Sequence, residues 1–130
     1  MDLSPTASRF DSSISWLAAI GNTAALGVFD DFGPDAVYAR NRHLESRLRA
    51  ALGRIGWDPV DLPQASRSTI VSIPLADLEP SRLVRALADE GVVCSARDGA
   101  LRLSVHLYNH EDDIERLVTA LATLGRPPAS

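Results

Sequence analysis

Lysine is missing from this chain altogether: all 13 basic residues are arginines. That absence excludes one chemistry outright, because no side chain here can hold an aldehyde cofactor or a carbonyl substrate as an internal Schiff base. Cysteine is nearly as scarce. The single Cys94 cannot form an internal disulfide, so nothing points to an oxidising compartment and a cytoplasmic address is expected. There is no basic excess either. A formal net charge of −4 argues against a nucleic-acid or anionic-membrane surface, since both call for a dense basic patch. No stretch approaches the roughly 18 uninterrupted apolar residues of a membrane span. Residues Met1 to Phe10 lack the basic start and apolar run of a signal peptide, and the opening methionine is read as a natural start. A Gly-rich phosphate loop, a CxxC pair and a Gly-x-Ser-x-Gly setting for Ser95 or Ser104 are all absent.

What is present is enough for one compact domain with an appended element: 130 residues, 45% of them hydrophobic. Residues 12–32 read as a helix opened by Ser12 or Ser13 and closed by Gly33. Its apolar residues, Trp16, Ile20, Val28 and Phe29 among them, lie all round the cylinder, which predicts either the centre of a small bundle or contact with another chain. Residues 34–55 form an amphipathic helix with Val37, Leu44, Leu48, Leu52 and Ile55 on one face. Glu45 and Arg49, at the favourable i, i+4 spacing, are expected on its solvent side. Gly56 ends that helix, and Trp57 to Ser68, with Pro59 and Pro63, is expected to be a loop. A short strand at Thr69–Pro74 and a helix at Pro80–Glu90 follow.

The next segment is the most informative. Val92–Arg97 and Ala100–His106 alternate as strands around Asp98-Gly99, a strong two-residue hairpin signal because a type I′ turn needs positive φ at both positions. With that turn, Arg97 faces Ala100, Ser95 faces Arg102 and Val93 faces Ser104. One face then carries Val92, Cys94, Ala96, Leu101, Leu103 and Val105, and the other Ser95, Arg97, Arg102, Ser104 and His106. A one-residue slip would spoil the division, so the register is well specified. The last helix is expected to be capped at Asn109, with Ile114, Leu117, Val118, Leu121 and Leu124 buried. The element order implies an α/β (α+β) fold: a small, mainly antiparallel three-stranded sheet with helices on one face, preceded by two helices. Residues 1–33 would form an N-terminal segment carrying the apolar helix, and 34–130 the small α/β domain.

Arg102 is the residue to single out, because a strand holds its backbone rigid and its fork can take a carboxylate in bidentate fashion. The alternative is a surface arginine on the open side of a small sheet. His106 and His110 do not match a recognised ligand spacing, so no metal is expected. Cys94 falls on the apolar face with no base nearby and reads as a small core residue, so no catalytic nucleophile is assigned.

The run from Gly91 to Leu117, with Arg102, Ser104, His106, Tyr108-Asn109 and the acidic helix start at Glu111-Asp112-Asp113, resembles the carboxy-terminal end of class V aminotransferase-fold enzymes. That family includes cysteine desulfurases, selenocysteine lyases and kynureninases. The resemblance extends upstream through Arg9-Phe10-Asp11, Gly33-Pro34 and Arg47-Leu48-Arg49-Ala50-Ala51-Leu52, so it covers nearly the whole chain. What is missing is the family's large domain, with the aspartate, histidine and lysine that hold pyridoxal phosphate.

The resemblance implies that Arg102 clamps the α-carboxylate of an amino-acid substrate, with Ser104, His106 and Asn109 as further substrate contacts. The family's usual Gly-Thr-Pro, whose threonine reaches the cofactor phosphate of the neighbouring subunit, is replaced here by Ser12-Ser13-Ile14-Ser15, leaving Ser13 or Ser15 to substitute. Cys94 lies inside a strand, unlike the loop-borne nucleophile of desulfurases. The expectation is a small-domain subunit or truncated form, not catalytic alone, that meets pyridoxal phosphate only through a large-domain partner carrying the lysine, or that forms a homo-oligomer. The rival expectation is a non-catalytic dimerisation or regulatory module derived from that family.

Overall fold

The computed structural model describes residues 5–6, 15–76 and 78–125. It divides into two units, Met1–Pro34 and Asp35–Ser130. The first unit holds helix α1, Trp16–Phe32. Ser15 opens it, its Oγ accepting from the Ala18 N–H at 3.4 Å. The expected caps Ser12 and Ser13 lie outside the described residues. Gly33, at φ 79°, closes the helix by donating to the Phe29 carbonyl at 2.8 Å, a left-handed stop that suits glycine. None of the residues of α1 is buried. Trp16, Leu17, Ile20, Leu26 and Phe32 are all exposed, as apolar positions spread around a cylinder require when no surface encloses it.

In the second unit, α2 (Pro34–Arg54) buries Val37, Leu44, Leu48, Ala51 and Leu52. The chain turns at Gly56 (φ 76°), and the Trp57 N–H returns to the Leu52 carbonyl at 3.0 Å, sinking the indole into the core. Here the expected solvent face needs correction. Glu45 is 1% exposed, paired with Arg49 and, at 3.4 Å, with Arg42. The reason is long-range: Arg49 donates to the Val60 carbonyl at 2.9 Å and Arg42 to that of Arg67 at 3.3 Å. The connection after α2, which includes a 3₁₀ turn at Gln64–Ser66, is thereby pinned to the helix through a buried charge.

Strands β1 (Ile70–Pro74), β2 (Ser95–Arg97) and β3 (Ala100–Ser104) form an antiparallel sheet in the order β1-β3-β2. The predicted hairpin register is present, Ser95 opposite Arg102 and Arg97 opposite Ala100, with Asp98 and Gly99 at φ 52° and 74°. The first strand of the hairpin is shorter than expected. Val92 gives its N–H to the Leu87 carbonyl at 2.9 Å, so its backbone serves the end of α3 (Pro80–Asp89) and the ladder starts only at Ser95. Val93 therefore has no ladder pairing with Ser104, and it is 96% exposed. Ala96 is exposed rather than buried.

The outer edge of β1 is obstructed. The Ile70 N–H is taken by Ser68 Oγ at 3.2 Å, the Ser72 carbonyl accepts from Val60 N–H at 2.8 Å, and Pro74 offers no donor. Helix α4 (Glu111–Leu124) completes the unit. Its N-cap is His110, one residue later than expected, because Asp113 Oδ2 accepts the His110 N–H at 3.0 Å while Asn109 belongs to the preceding turn. Val71, Ile73, Leu101, Leu103 and Val105 on one side of the sheet pack with Leu48, Leu87, Leu117 and Leu121 of the helices. The fold is thus α/β, a three-stranded antiparallel sheet with helices on one face.

Candidate functional site

The sheet's other face places Arg102 at its centre. It sits in the middle strand between Ser72 of β1 and Ser95 of β2, each directly opposite it and therefore on the same side. Two short hydroxyl side chains thus flank Arg102 on that face. Arg102 is half-buried, and it makes no hydrogen bond or ion pair among the described residues. A rigidly mounted, partly desolvated arginine with no protein anion is an available receptor for a planar carboxylate. Ser72 was not legible as a site residue, because its place beside Arg102 depends on the long-range β1–β3 register. The available signal was a lone polar residue within Ile70-Val71-Ser72-Ile73.

Of the other residues expected here, Ser104 shares this face by alternation, and His106 and Asn109 follow beyond the strand. Ser104 is exposed at the end of β3. His106 lies beyond the strand, stacked on Tyr108 with ring centroids 5.0 Å apart, and its N–H donates to Asn109 Oδ1 at 2.9 Å. Asn109 is occupied on every side: Nδ2 donates to Asp113 Oδ2 at 3.1 Å, and its carbonyl accepts from Arg40 at 2.9 Å. Its polar groups thus serve the turn. Arg40 also grips Glu111 in bidentate fashion, at 2.7 and 3.2 Å. That hydrogen-bonded guanidinium holds the Glu111 carboxyl at about 2, well below the usual range. Asp113 is lowered too, chiefly by the His110 N–H and then by Asn109. Sequence reasoning missed the Arg40–Glu111 brace, which joins α2 to the start of α4.

Burial pushes the half-buried Cys94 thiol up, so it stays protonated near neutrality, unlike an activated nucleophile. Among the described residues, no three His, Cys, Asp or Glu side chains converge as metal ligands. No helix among them is long and apolar enough to cross a membrane. Ser13 lies outside the described residues, and the Ser15 hydroxyl oxygen is engaged as the α1 cap. Pyridoxal phosphate needs a lysine amine as its covalent tether, and the chain has none, so these residues alone do not fit that cofactor.

Comparison with known proteins gives one consistent picture. The family model described as Aminotransferase class-V matches residues 2–117. Probable cysteine desulfurases from two strains of Staphylococcus epidermidis are each 25% identical over 128 residues, covering 87% of this chain and 31% of theirs. The chain therefore spans about a third of the length of these relatives. Among solved structures, the apo cysteine desulfurase of Thermococcus onnurineus NA1 superposes with a TM-score of 0.78 at 18% identity, over 95% of this chain and 36% of that one. A protein described as NifS-like gives 0.70 at 18% identity, over 88% and 34%. At such identities the superpositions establish a shared fold.

Proposed function

From the premise that the chain belongs to the class V aminotransferase family, whose enzymes depend on pyridoxal phosphate, we propose that it is the small-domain portion of an enzyme acting on an amino acid. Arg102 binds the substrate's carboxylate, and a partner polypeptide supplies the lysine and the cofactor. The observation that carries this reading is the unengaged guanidinium at the centre of the open sheet face. Its flanking serines can hydrogen-bond the same carboxylate, and the hairpin turn fixes its position. The assembly would work in the cytoplasm, where the lone cysteine needs no partner.

Co-expression with lysine-bearing large domains of the same family should yield a yellow complex that turns over an amino acid. Arg102→Ala should abolish turnover and leave assembly intact. If the complex forms and the variant turns over normally, Arg102 is not the carboxylate receptor; if no large domain binds, the split-enzyme reading falls. The exposure of Trp16, Leu17, Ile20 and Phe32 on α1 favours a second reading, a non-catalytic module that dimerises or regulates a full-length relative. Under it, Arg102→Ala changes no activity, whereas polar substitutions on α1 abolish association.

A further inference from the structure

A second recess lies on the helix-bearing side of the sheet, away from the open face that presents Arg102. Because β2 begins only at Ser95, the last part of β3 has no strand beside it. The Val105 N–H points to β1, where it meets the Thr69 carbonyl at 3.1 Å. By alternation the N–H and C=O of Ser104 turn the other way, towards the gap. The gap is the mouth of a cleft of about 390 Å³, within the usual span of small-molecule sites of roughly 300–1,000 Å³. The apolar part of its lining comes from Leu48, Val92, Val93, Leu103, Val105, Ile114 and Leu117.

Polar groups of both signs stand around that apolar surface. Arg116 lines the cleft, and its Nη1 would stand 3.3 Å from a Cβ placed on Gly91, so the guanidinium lies close over that glycine. Gly91 has φ 76°, which adds backbone strain to any side chain there. Among the described residues Arg116 forms no hydrogen bond or ion pair, not even with Asp113 one turn away on α4. Asp113 uses Oδ2 for the His110 N–H and for Asn109, and its other oxygen takes no hydrogen bond among the described residues. A cation and an anion that attract each other without hydrogen-bonding, Arg116 helping to lower the Asp113 carboxyl, thus flank a cavity where the Ser104 backbone offers a further donor and acceptor.

We infer that this cleft binds a free amino acid with an aliphatic side chain, its carboxylate on Arg116, its ammonium on Asp113 and its side chain against Val92, Val93 and Leu117. The charges decide the class. A simple carboxylic acid would satisfy Arg116 but set its charge beside Asp113, and a simple amine would do the reverse. Only a zwitterion meets both. Neither Arg102 nor its flanking Ser72 and Ser95 lines this cleft, so the site does not depend on the role proposed for Arg102.

Titration of the full chain with L-leucine, followed by amide NMR, tests this. Saturable shifts should centre on Val92, Val93 and Ser104. Arg116→Gln should weaken binding about tenfold or more, the loss of a charge-assisted hydrogen bond, and Arg116→Lys should restore part of it. Isovalerate and isoamylamine, each lacking one charge, should bind much more weakly. No saturable shift up to the solubility limit of leucine, or an unaltered affinity in Arg116→Gln, overturns the site. Isovalerate binding as tightly as leucine overturns the zwitterion assignment. Shifts confined to Ser72, Ser95 and Ala100 that vanish in Arg102→Ala place the ligand on the open sheet and overturn the inference as well.

Discussion

Replacing Glu45 by glutamine keeps the side-chain volume and removes one charge, so its effect isolates the buried ion cluster of α2. The carboxylate is 1% exposed, against 13% for the Arg49 side chain and 21% for that of Arg42. Without it, two largely desolvated guanidiniums face each other across a neutral amide. Breaking a buried pair costs about 3–5 kcal/mol, and the low end applies here because both arginines keep a carbonyl partner, Val60 or Arg67. For a unit of this size each kcal/mol lowers the melting temperature by about 4–8 °C, so Glu45→Gln should melt roughly 12–24 °C below the wild type. Far-UV circular dichroism on heating measures the shift directly. A double-mutant cycle with Arg49→Gln should return a coupling of about 1–3 kcal/mol, since the two side chains touch. A Glu45→Gln melt within about 2 °C of wild type would refute the reasoning, because only a solvated pair is worth so little.

Glu111 has its carboxyl held at about 2 by Arg40, so the stability it contributes is present above the unfolded carboxylate range and is lost as pH falls through about 2. The gap in urea midpoint between wild type and Glu111→Gln should therefore stay constant above about pH 5 and close towards pH 2. Cys94, with its thiol pushed up by burial, should react slowly with a disulfide reagent at neutral pH in the native chain and rapidly after unfolding in urea. Gly99, at φ 74°, should not tolerate a β-branched residue: Gly99→Val is expected to cost about 1–2 kcal/mol in chemical denaturation, whereas Asp98→Asn should be close to neutral.

The parts of the fold that were legible in the sequence are those set by neighbouring residues. The Asp98-Gly99 turn demands positive φ twice in succession, and that demand fixed the pairing of Ser95 with Arg102 in advance. What was misread depends on distant parts of the chain. Glu45 has the local spacing of a surface pair, and only the return of the Val60 and Arg67 carbonyls onto α2 reveals that it is buried. Asn109 has the composition of a helix cap, but the His106 N–H claims its oxygen and the cap moves to His110. Val92 alternates as a strand residue should, yet the end of α3 takes its N–H, and the recess beside Ser104 follows from that single diversion. Arg102 was legible as a candidate because its chemistry is local to one strand; Ser72 was not, because its role depends on a pairing across the sheet.

The blunted side of β1 has a consequence for how copies of this chain can meet. A sheet that extends from molecule to molecule must offer a hydrogen-bonding rim at both ends, one to receive and one to pass on. Here Ser68, Val60 and Pro74 stop one rim, and the opposite rim is a strand of three residues. Strand addition can therefore cap this molecule or join two of them back to back, but it cannot propagate into a fibre.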